Sequence, residues 1–186
     1  MPEEEDRQRA LDFALNYLSY RSRSSKEVFD RLRRKGYSDD VSHGVVEYLT
    51  ERRYLDERAF AREWAGFSAN HKLNGRILLS QELRLKGISA DIIEDVIRET
   101  YSPAGREKEL ALQLVHKRTR RSHKKDRDKL MRSLINLLAR HGFSRSIIRD
   151  AVMDALGPGD DDEDLMDDNE ALMTEELVSE EDDSCN

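Results

Sequence analysis

The sequence is poor in the residues and runs that characterise disulfide-rich, secreted and membrane proteins. Its 186 residues include a single cysteine, Cys185, which excludes a disulfide framework and a thiol-rich metal site. It has no run of about 18 apolar residues, and its N-terminus is acidic where a signal peptide is basic and then apolar. We therefore expect a soluble, cytoplasmic protein without a membrane span.

Signatures of catalysis are also missing. The chain has no glycine-rich phosphate loop, no Gly-x-Ser-x-Gly turn and no pair of carboxylates in apolar surroundings. Its five histidines do not have the spacing of metal ligands. We expect a protein that is not an enzyme and that needs neither a metal nor another cofactor.

Charge is divided unevenly along the chain. Residues 158–186 hold 14 acidic residues and no lysine or arginine, so they carry a formal charge of about −14 against about +7 for residues 1–157. The acidic tail has too little apolar content to form a core, and we expect it to be disordered. The modestly cationic body suggests contact with a polyanion.

An internal repeat organises the body. Each of three glycines has apolar residues four and eight positions before it and five and nine positions after it. This spacing predicts two amphipathic helices, with the glycine as the left-handed C-cap of the first and a serine as the N-cap of the second. Another apolar helical stretch precedes each pair, so the unit has three helices. The aligned residues are Gly36 with Ser38, Gly87 with Ser89, and Gly142 with Ser144.

The sequence therefore predicts an all-α protein built from three tandem three-helix repeats. Apolar alternation with period 2, the pattern of strands, is absent. The glycines are 51 and 55 residues apart, which exceeds the period of about 34 residues in tetratricopeptide repeats and 40–47 in HEAT repeats. The expected boundaries are 1–53, 54–101 and 102–157 for the repeats and 158–186 for the tail.

Basic residues gather in the middle helix of each predicted repeat and in the run from Lys117 to Lys125. That run has six basic residues and one histidine in nine, with no acid, which favours an anionic partner over a solvated helix end. The partner can be nucleic acid or the protein's own tail. Lys35 and Lys86 precede capping glycines, where the helix dipole alone can account for a cation.

Three-helix units also occur in helix-turn-helix DNA readers, whose last helix enters the major groove. Here the third helices of the first two repeats are acidic, and phosphates would repel them. The pattern favours docking on protein with auxiliary phosphate contacts over base-specific binding. The acids concerned are Asp39, Asp40, Glu47, Glu51, Asp91, Glu94, Asp95 and Glu99.

Several short motifs carry a resemblance to a known family. They are Ala14–Ser24 with Lys35-Gly36, Tyr54–Ala61, Gly75–Ile77, Glu82-Leu83 and Lys86–Ile88. These stretches resemble the RecX family, the regulators of the RecA recombinase: its arginine-rich opening, its Leu-Asp-Asp element followed by Phe-Ala, and its glycine-led helix that ends in Lys-Gly-Ile. The similarity spans residues 10–100 and continues more weakly to about 157.

The resemblance implies an elongated, curved array of repeats that lies in the groove of a RecA filament on single-stranded DNA. Such a protein hinders filament extension and suppresses ATP hydrolysis and strand exchange, and so acts in homologous recombination, DNA repair and the SOS response. We expect a monomer. The acidic tail departs from the family pattern; it can cover the basic groove, or it can be a solubilising extension or a separate partner motif.

Two other functions stay open at this point, an autonomous helical DNA-binding protein and a general protein-interaction scaffold. Dependence on RecA and on nucleic acid distinguishes them. Some candidate contact residues can instead join the repeats by pairing with Asp56 or other acids. The resemblance assigns partner or DNA contacts to Arg21, Arg23, Lys26, Arg76, Arg84 and Lys86, and charge adds Arg33, Arg34, Lys117, Arg118, Arg120, Arg121, Lys124 and Lys125.

Overall fold

A computed structural model describes residues 2–102, 105–120 and 127–157, and these form nine α-helices without a β-strand. The predicted all-α class and the succession of three-helix repeats are confirmed. The predicted disorder of residues 158–186 lies outside the described residues. The helices are α1 (Pro2–Leu18), α2 (Ser25–Lys35), α3 (Asp39–Glu51), α4 (Glu57–Phe67), α5 (Arg76–Leu85), α6 (Ala90–Tyr101), α7 (Arg106–Thr119), α8 (Arg127–Arg140) and α9 (Arg145–Leu156).

The chain forms two compact units. The first consists of residues 1–67 and 80–100, and the second of residues 68–79 and 101–186. Helix α5 therefore begins in the second unit and ends in the first. Because α5 is shared, a compact unit differs from a sequence repeat, and the repeat boundaries stay a prediction.

The first unit has its core where α1 and α2 pack on α3. Two alanines of α1 let that helix approach closely, and larger aliphatic side chains of α2 and α3 fill the space. Each fully buried valine or leucine contributes about 1.5–3 kcal/mol relative to its exposed state. The buried cluster is Ala10, Ala14, Val28, Leu32, Val45, Leu49 and Leu55.

The second unit has its core where α7 and α8 pack on α9. Its buried side chains recur at helical spacing on each of the three helices, as the sequence pattern predicts. They are Leu110, Ala111, Leu114, Val115, Met131, Leu134, Ile135, Leu138, Ile148, Ala151 and Val152.

All three aligned glycines end a helix as predicted. Their φ angles are +101° at Gly36, +79° at Gly87 and +72° at Gly142, in the left-handed region that favours glycine. The amide after each glycine donates to the carbonyl five residues earlier, at 3.1 to 3.3 Å. This bond satisfies an orphan carbonyl at the helix end and turns the chain towards the next helix.

The serines differ in how they cap the next helix. The Ser38 hydroxyl accepts a hydrogen bond from the Val41 amide at 3.3 Å, as predicted. Ser144 has the extended backbone of an N-cap, but its hydroxyl makes no cap hydrogen bond and lies 3.1 Å from the Ser146 hydroxyl. The predicted hydroxyl role is wrong at Ser144, because a neighbouring hydroxyl competes for it.

A strap from Ser68 to Leu79 continues from the end of α4 into the first turn of α5 and belongs to the second unit. It starts with a π-helical turn, after which Asn74 is almost fully buried. The Asn74 side-chain amide donates to the Ser68 hydroxyl at 3.0 Å, and its Oδ1 lies 3.1 Å from His141 Nδ1. The Asn74 carbonyl accepts from the Tyr101 hydroxyl at 2.7 Å, so this residue is held on every polar side.

The strap meets the turn between α8 and α9 backbone to backbone. The Gly75 amide donates to the His141 carbonyl at 2.7 Å, and the Ile77 amide donates to the Gly142 carbonyl at 3.1 Å. A Cβ atom on Gly75 would lie 2.4 Å from the Gly142 carbonyl oxygen, far inside van der Waals contact. Glycine at position 75 is therefore required by space.

Gly75→Ala is expected to lower the free energy of unfolding by about 1–3 kcal/mol, because the methyl group must push two hydrogen-bonded backbones apart. Urea denaturation followed by circular dichroism measures the change. Gly44→Ala is the matched control, since Gly44 lies in α3 with nothing within 4 Å of an added Cβ. The control should be neutral or stabilising by up to about 1 kcal/mol. Equal losses would contradict the contact.

The same junction predicts a pH dependence. Burial, together with the positive charge of Arg140, lowers the pKa of His141, and a hydrogen bond with the Lys72 backbone offsets this only in part. The unfolded chain therefore binds a proton at His141 at a higher pH than the folded chain does. This contribution to stability is complete above about pH 6.5 and is lost as pH falls from there through the folded-state pKa.

Unfolding free energies measured from pH 8 to pH 5 check this expectation. His141→Gln keeps a side-chain amide that can donate to Asn74 but cannot titrate, so its stability should fall less over the interval. Parallel curves for the two proteins would rule out His141 as the titrating group.

Candidate nucleic-acid and partner interface

The candidate cations fall into three groups according to their surroundings. Five are engaged by acids or aromatic rings within the protein, six are exposed or bound only to neutral groups, and three lie outside the described residues. The groups are Arg21, Arg23, Arg33, Arg76 and Lys86; Lys26, Arg34, Arg84, Lys117, Arg118 and Arg120; and Arg121, Lys124 and Lys125.

Glu27 in α2 gathers two of these cations in the first unit. Its carboxylate accepts from Lys86 Nζ at 3.0 Å and from an Arg21 guanidinium nitrogen at 3.2 Å. Burial works to raise the pKa of Glu27, but hydrogen bonds from Lys86 and from the Ser24 backbone, with the charges of Lys86 and Arg21, outweigh it and hold the pKa below its usual value. The carboxylate stays ionised and joins α2 to the end of α5.

A capping box fixes Glu27 in place. The Ser24 hydroxyl accepts from the Glu27 amide at 3.2 Å, and the Glu27 carboxylate accepts from the Ser24 amide at 3.1 Å. This reciprocal pair is the Ser-x-x-Glu pattern of a helix start. This pattern is visible in the sequence at residues 24–27, and it would have predicted that the Glu27 carboxylate is held at the start of α2.

Lys86 is enclosed on a second side by an aromatic ring. Its Nζ lies 3.9 Å from the centroid of the Trp64 ring, and its side chain is only 16% exposed. The Trp64 indole N–H donates to Glu82 at 2.8 Å, which fixes the ring against Lys86. A cation between a carboxylate and a tryptophan face is held by both attractions, so Lys86 is a positioning residue of the fold.

Arg76 is engaged in the second unit. Its Nε lies 2.6 Å from the Glu107 carboxylate, and its backbone amide donates to the same carboxylate at 3.1 Å. The Glu107 side chain is 5% exposed and sits at the N-terminus of α5, where the helix dipole favours a negative charge. This ion pair ties α5 to α7, while the Arg76 side chain stays 51% exposed.

Arg23 and Arg33 also have partners inside the first unit. The Arg23 guanidinium carbon lies 4.2 Å from the centroid of the Tyr17 ring. Arg33 pairs with Asp39 and donates to the Tyr37 carbonyl across the turn between α2 and α3. Arg33 and Asp39 both lie in the first predicted repeat, so this pair does not join repeats. The pairs Lys86–Glu27 and Arg76–Glu107 each join residues of two predicted repeats, with acids other than Asp56.

Two acids of α6 are neutralised by arginines of α4. Arg58 pairs with Asp95 and Arg62 with Glu99, each at 2.8 Å. The hydrogen bond from Arg58 lowers the pKa of Asp95, and that from Arg62 lowers the pKa of Glu99. The repulsion of phosphate that the sequence suggests for α6 is therefore smaller at these two positions.

The exposed cations can approach an anion without breaking an ion pair of the described chain. Arg34 in α2 and Arg84 in α5 make no ion pair within the described ranges, and both are exposed. Lys117 is exposed in the last turn of α7. Lys26 is exposed, and it donates to the Leu85 carbonyl at the C-terminal end of α5 at 3.1 Å.

The described part of the chain offers no group of three or more histidine, cysteine, aspartate or glutamate side chains arranged to hold a metal ion. None of the helices in that part is long and apolar enough to cross a membrane. The arrangement can bind anions through fixed and exposed cations.

Comparison with known proteins gives matches along the whole described body. Family models of the first, second and third three-helix domains of RecX match residues 10–49, 56–97 and 106–152. Regulatory protein RecX of Mycobacterium avium strain 104 is 33% identical over 153 residues, 82% of this chain and 86% of that protein. Regulatory protein RecX of Mycobacterium leprae strain Br4923 is 34% identical over 147 residues, 78% of this chain and 85% of that protein.

A solved structure is similar in fold. The crystal structure of RecX from Lactobacillus salivarius superposes with a TM-score of 0.68 at 27% sequence identity. The match covers 82% of this chain and 97% of that one. The likeness therefore extends over all three sets of helices.

Lys86→Met is expected to lower the free energy of unfolding by about 1–2 kcal/mol, since a half-buried Glu27 carboxylate loses its closest cation. Arg84→Met is the matched control, since Arg84 is also basic, lies two positions before Lys86 and is exposed. Its free energy of unfolding should stay within about 0.5 kcal/mol of the parent's. Urea denaturation compares the two. The difference should be complete above about pH 4.5 and should shrink as pH falls from there through the lowered pKa of Glu27, because a depressed carboxyl pKa stabilises the fold only while the folded carboxylate stays ionised. A harmless Lys86→Met would return Lys86 to the partner-contacting residues.

Proposed function

This chain belongs to the RecX family of regulatory proteins, and from that premise we propose that it docks on a RecA filament assembled on single-stranded DNA. In the proposed role it hinders extension of the filament and suppresses the recombinase's ATP hydrolysis and strand exchange. It acts by binding alone, without a covalent step.

One observation carries the proposal: all three RecX domains match in order along the described body, and relatives with more than three quarters of their length covered are named Regulatory protein RecX. A protein with the whole set of domains has the parts for the same kind of partner. The long acidic tail is an addition to that set.

We assign fewer residues to the partner interface than the sequence suggested. Lys86 and Arg76 are satisfied by internal acids, and releasing either would leave a carboxylate unpaired. We assign the contacts to exposed cations that can approach phosphates or acidic side chains without that cost. They are Arg34 and Arg84 in the first unit and Lys117, Arg118 and Arg120 in the second.

Phosphate contacts of this kind give affinity without sequence preference. Each neutralised phosphate releases condensed counterions, so binding weakens as salt rises. On a filament, such contacts would add to protein–protein docking and would not choose a DNA sequence.

The test is a titration of DNA-dependent ATP hydrolysis by RecA on single-stranded DNA. The double variant Arg34→Glu with Arg84→Glu should need at least about tenfold more protein for half inhibition, a loss of about 1.4 kcal/mol. Because neither residue has an internal ion pair in the described ranges, the variant's unfolding curve should match the parent's.

Arg7→Glu with Arg149→Glu is the control, since it makes the same change in net charge at exposed positions outside the assigned set. It should inhibit like the parent. Full inhibition by the Arg34 and Arg84 variant would remove these residues from the interface. Binding of the parent to bare DNA with no effect on RecA would favour an autonomous DNA-binding protein.

A further inference from the structure

Excess positive charge is confined to one part of the described chain. Residues 2–53 carry 11 basic and 11 acidic residues, and residues 54–102 carry seven basic and eight acidic ones. The last three helices, in residues 105–120 and 127–157, carry 11 basic against five acidic residues, a formal charge of +6. The cationic character of the body therefore belongs to α7, α8 and α9.

Two of the five acids in those three helices already pair with cations. Glu107 is bound by Arg76 at 2.6 Å, and Asp154 is bound by Lys108 at 2.7 Å. Several exposed cations of these helices have no acidic partner within the described ranges, and four of them lie at the end of α7 and in the part of α8 beside it. These four form what we term the cationic end: Lys117, Arg118, Arg120 and Arg132.

A hydrogen bond brings the cationic end together. Arg118 in α7 donates to the Ser133 hydroxyl in α8 at 3.3 Å, and Ser133 follows Arg132 in the chain. The last turn of α7 therefore lies against α8 close to Arg132. Cations this close repel one another unless an anion lies between them, so the surface favours an anionic occupant.

The acidic tail begins at the same end of the unit. The Arg127 guanidinium donates to the Gly157 carbonyl at 2.6 Å, which anchors the end of α9 at the first residue of α8. Arg127 lies six residues before Ser133, a rise of about 9 Å along the helix. Residues 158–186, with 14 acids and no base, continue from that anchored point.

We infer that the acidic tail of this protein binds the cationic end of its own third set of helices. A segment of 29 residues spans up to about 100 Å when extended, so it reaches these cations without strain. Covalent attachment gives it an effective concentration of about millimolar, whereas a separate acidic peptide would have to be supplied at that level. Opposite charge supplies the attraction.

The consequence is a surface that is occupied before any nucleic acid arrives. This step alone rests on the proposed function, because Lys117, Arg118 and Arg120 are among the residues assigned to phosphate contacts. Single-stranded DNA must displace the tail to reach them. The tail then weakens adventitious binding to free nucleic acid, while a filament that also offers protein contacts can still compete.

The single cysteine gives a direct measurement on the full chain, since Cys185 stands one residue from the end of the tail. A nitroxide attached there should broaden the backbone amide signals of the cationic end and leave those of α1 to α3 sharp. The broadening should disappear near 1 M salt, where the Debye length falls to about 3 Å. Broadening that is uniform, or that is centred on the first unit, would overturn the inference.

Two comparisons sharpen the result. The triple variant Lys117→Glu, Arg118→Glu and Arg120→Glu should lose the broadening, whereas Arg34→Glu with Arg84→Glu should keep it. In a mixed sample, one protein carries the nitroxide without nitrogen-15 and the other carries nitrogen-15 without the nitroxide, and no broadening is expected. Broadening in the mixed sample would show that the tail binds a second copy, which contradicts binding within one molecule.

A binding measurement separates this inference from the proposed function. A full-length variant with five tail acids changed to amides should bind a single-stranded oligonucleotide on the order of tenfold more tightly at low salt, with the gain vanishing at high salt. Equal affinities would overturn the competition. If RecA is not inhibited by any version while the salt-sensitive broadening persists, the proposed function fails and the tail contact stands. The five changes are Asp160→Asn, Asp161→Asn, Asp162→Asn, Glu163→Gln and Asp164→Asn.

Discussion

The second unit depends on the close approach of two backbones at Gly75 and Gly142. Both glycines lack a side chain where a methyl group would collide, and the strap donates two backbone hydrogen bonds to the turn across the contact. Asn74 and His141, next to these glycines, extend the contact through their side chains. The strap between α4 and α5 is thereby part of the C-terminal core, although the sequence repeat assigns it to the middle of the chain.

Internal pairing explains why a basic residue in this protein is not by itself a binding residue. Helical proteins with a thin core leave many charged side chains near one another, and fixed acids attract the cations that the fold brings close. Glu27 and Glu107 are such acids, each immobilised at the first turn of a helix. The cations beside them position helices, and the proposed interface uses exposed cations without a fixed acid. Burial and pairing, more than charge density, divide the two roles.

Local patterns allowed most of the fold to be predicted from the sequence. The apolar spacing around three glycines predicts helix ends, turns and core positions, because each depends on residues within about ten positions along the chain. The partners of Lys86 and Arg76 could not be predicted in this way, since the acids that hold them are 59 and 31 residues away. The strap was missed for the same reason. At Ser144 a local pattern was not sufficient. Its backbone has the predicted N-cap conformation, but its hydroxyl lies against the Ser146 hydroxyl and caps no amide.

The strap has a consequence for synthesis of the chain on the ribosome. Asn74 and His141 are 67 residues apart, so at 5–20 residues per second the strap is made about 3–13 s before its partner. The buried cluster of α1 to α3 consists of residues between Ala10 and Leu55, all of which are made before the strap. The N-terminal helices can therefore fold before the partners of the strap, His141 and Gly142, have been synthesised. During that interval Asn74 Oδ1 and the amides of Gly75 and Ile77 lack their partners at His141 and Gly142, which makes residues 68–79 the natural place for a chaperone or a protease to act.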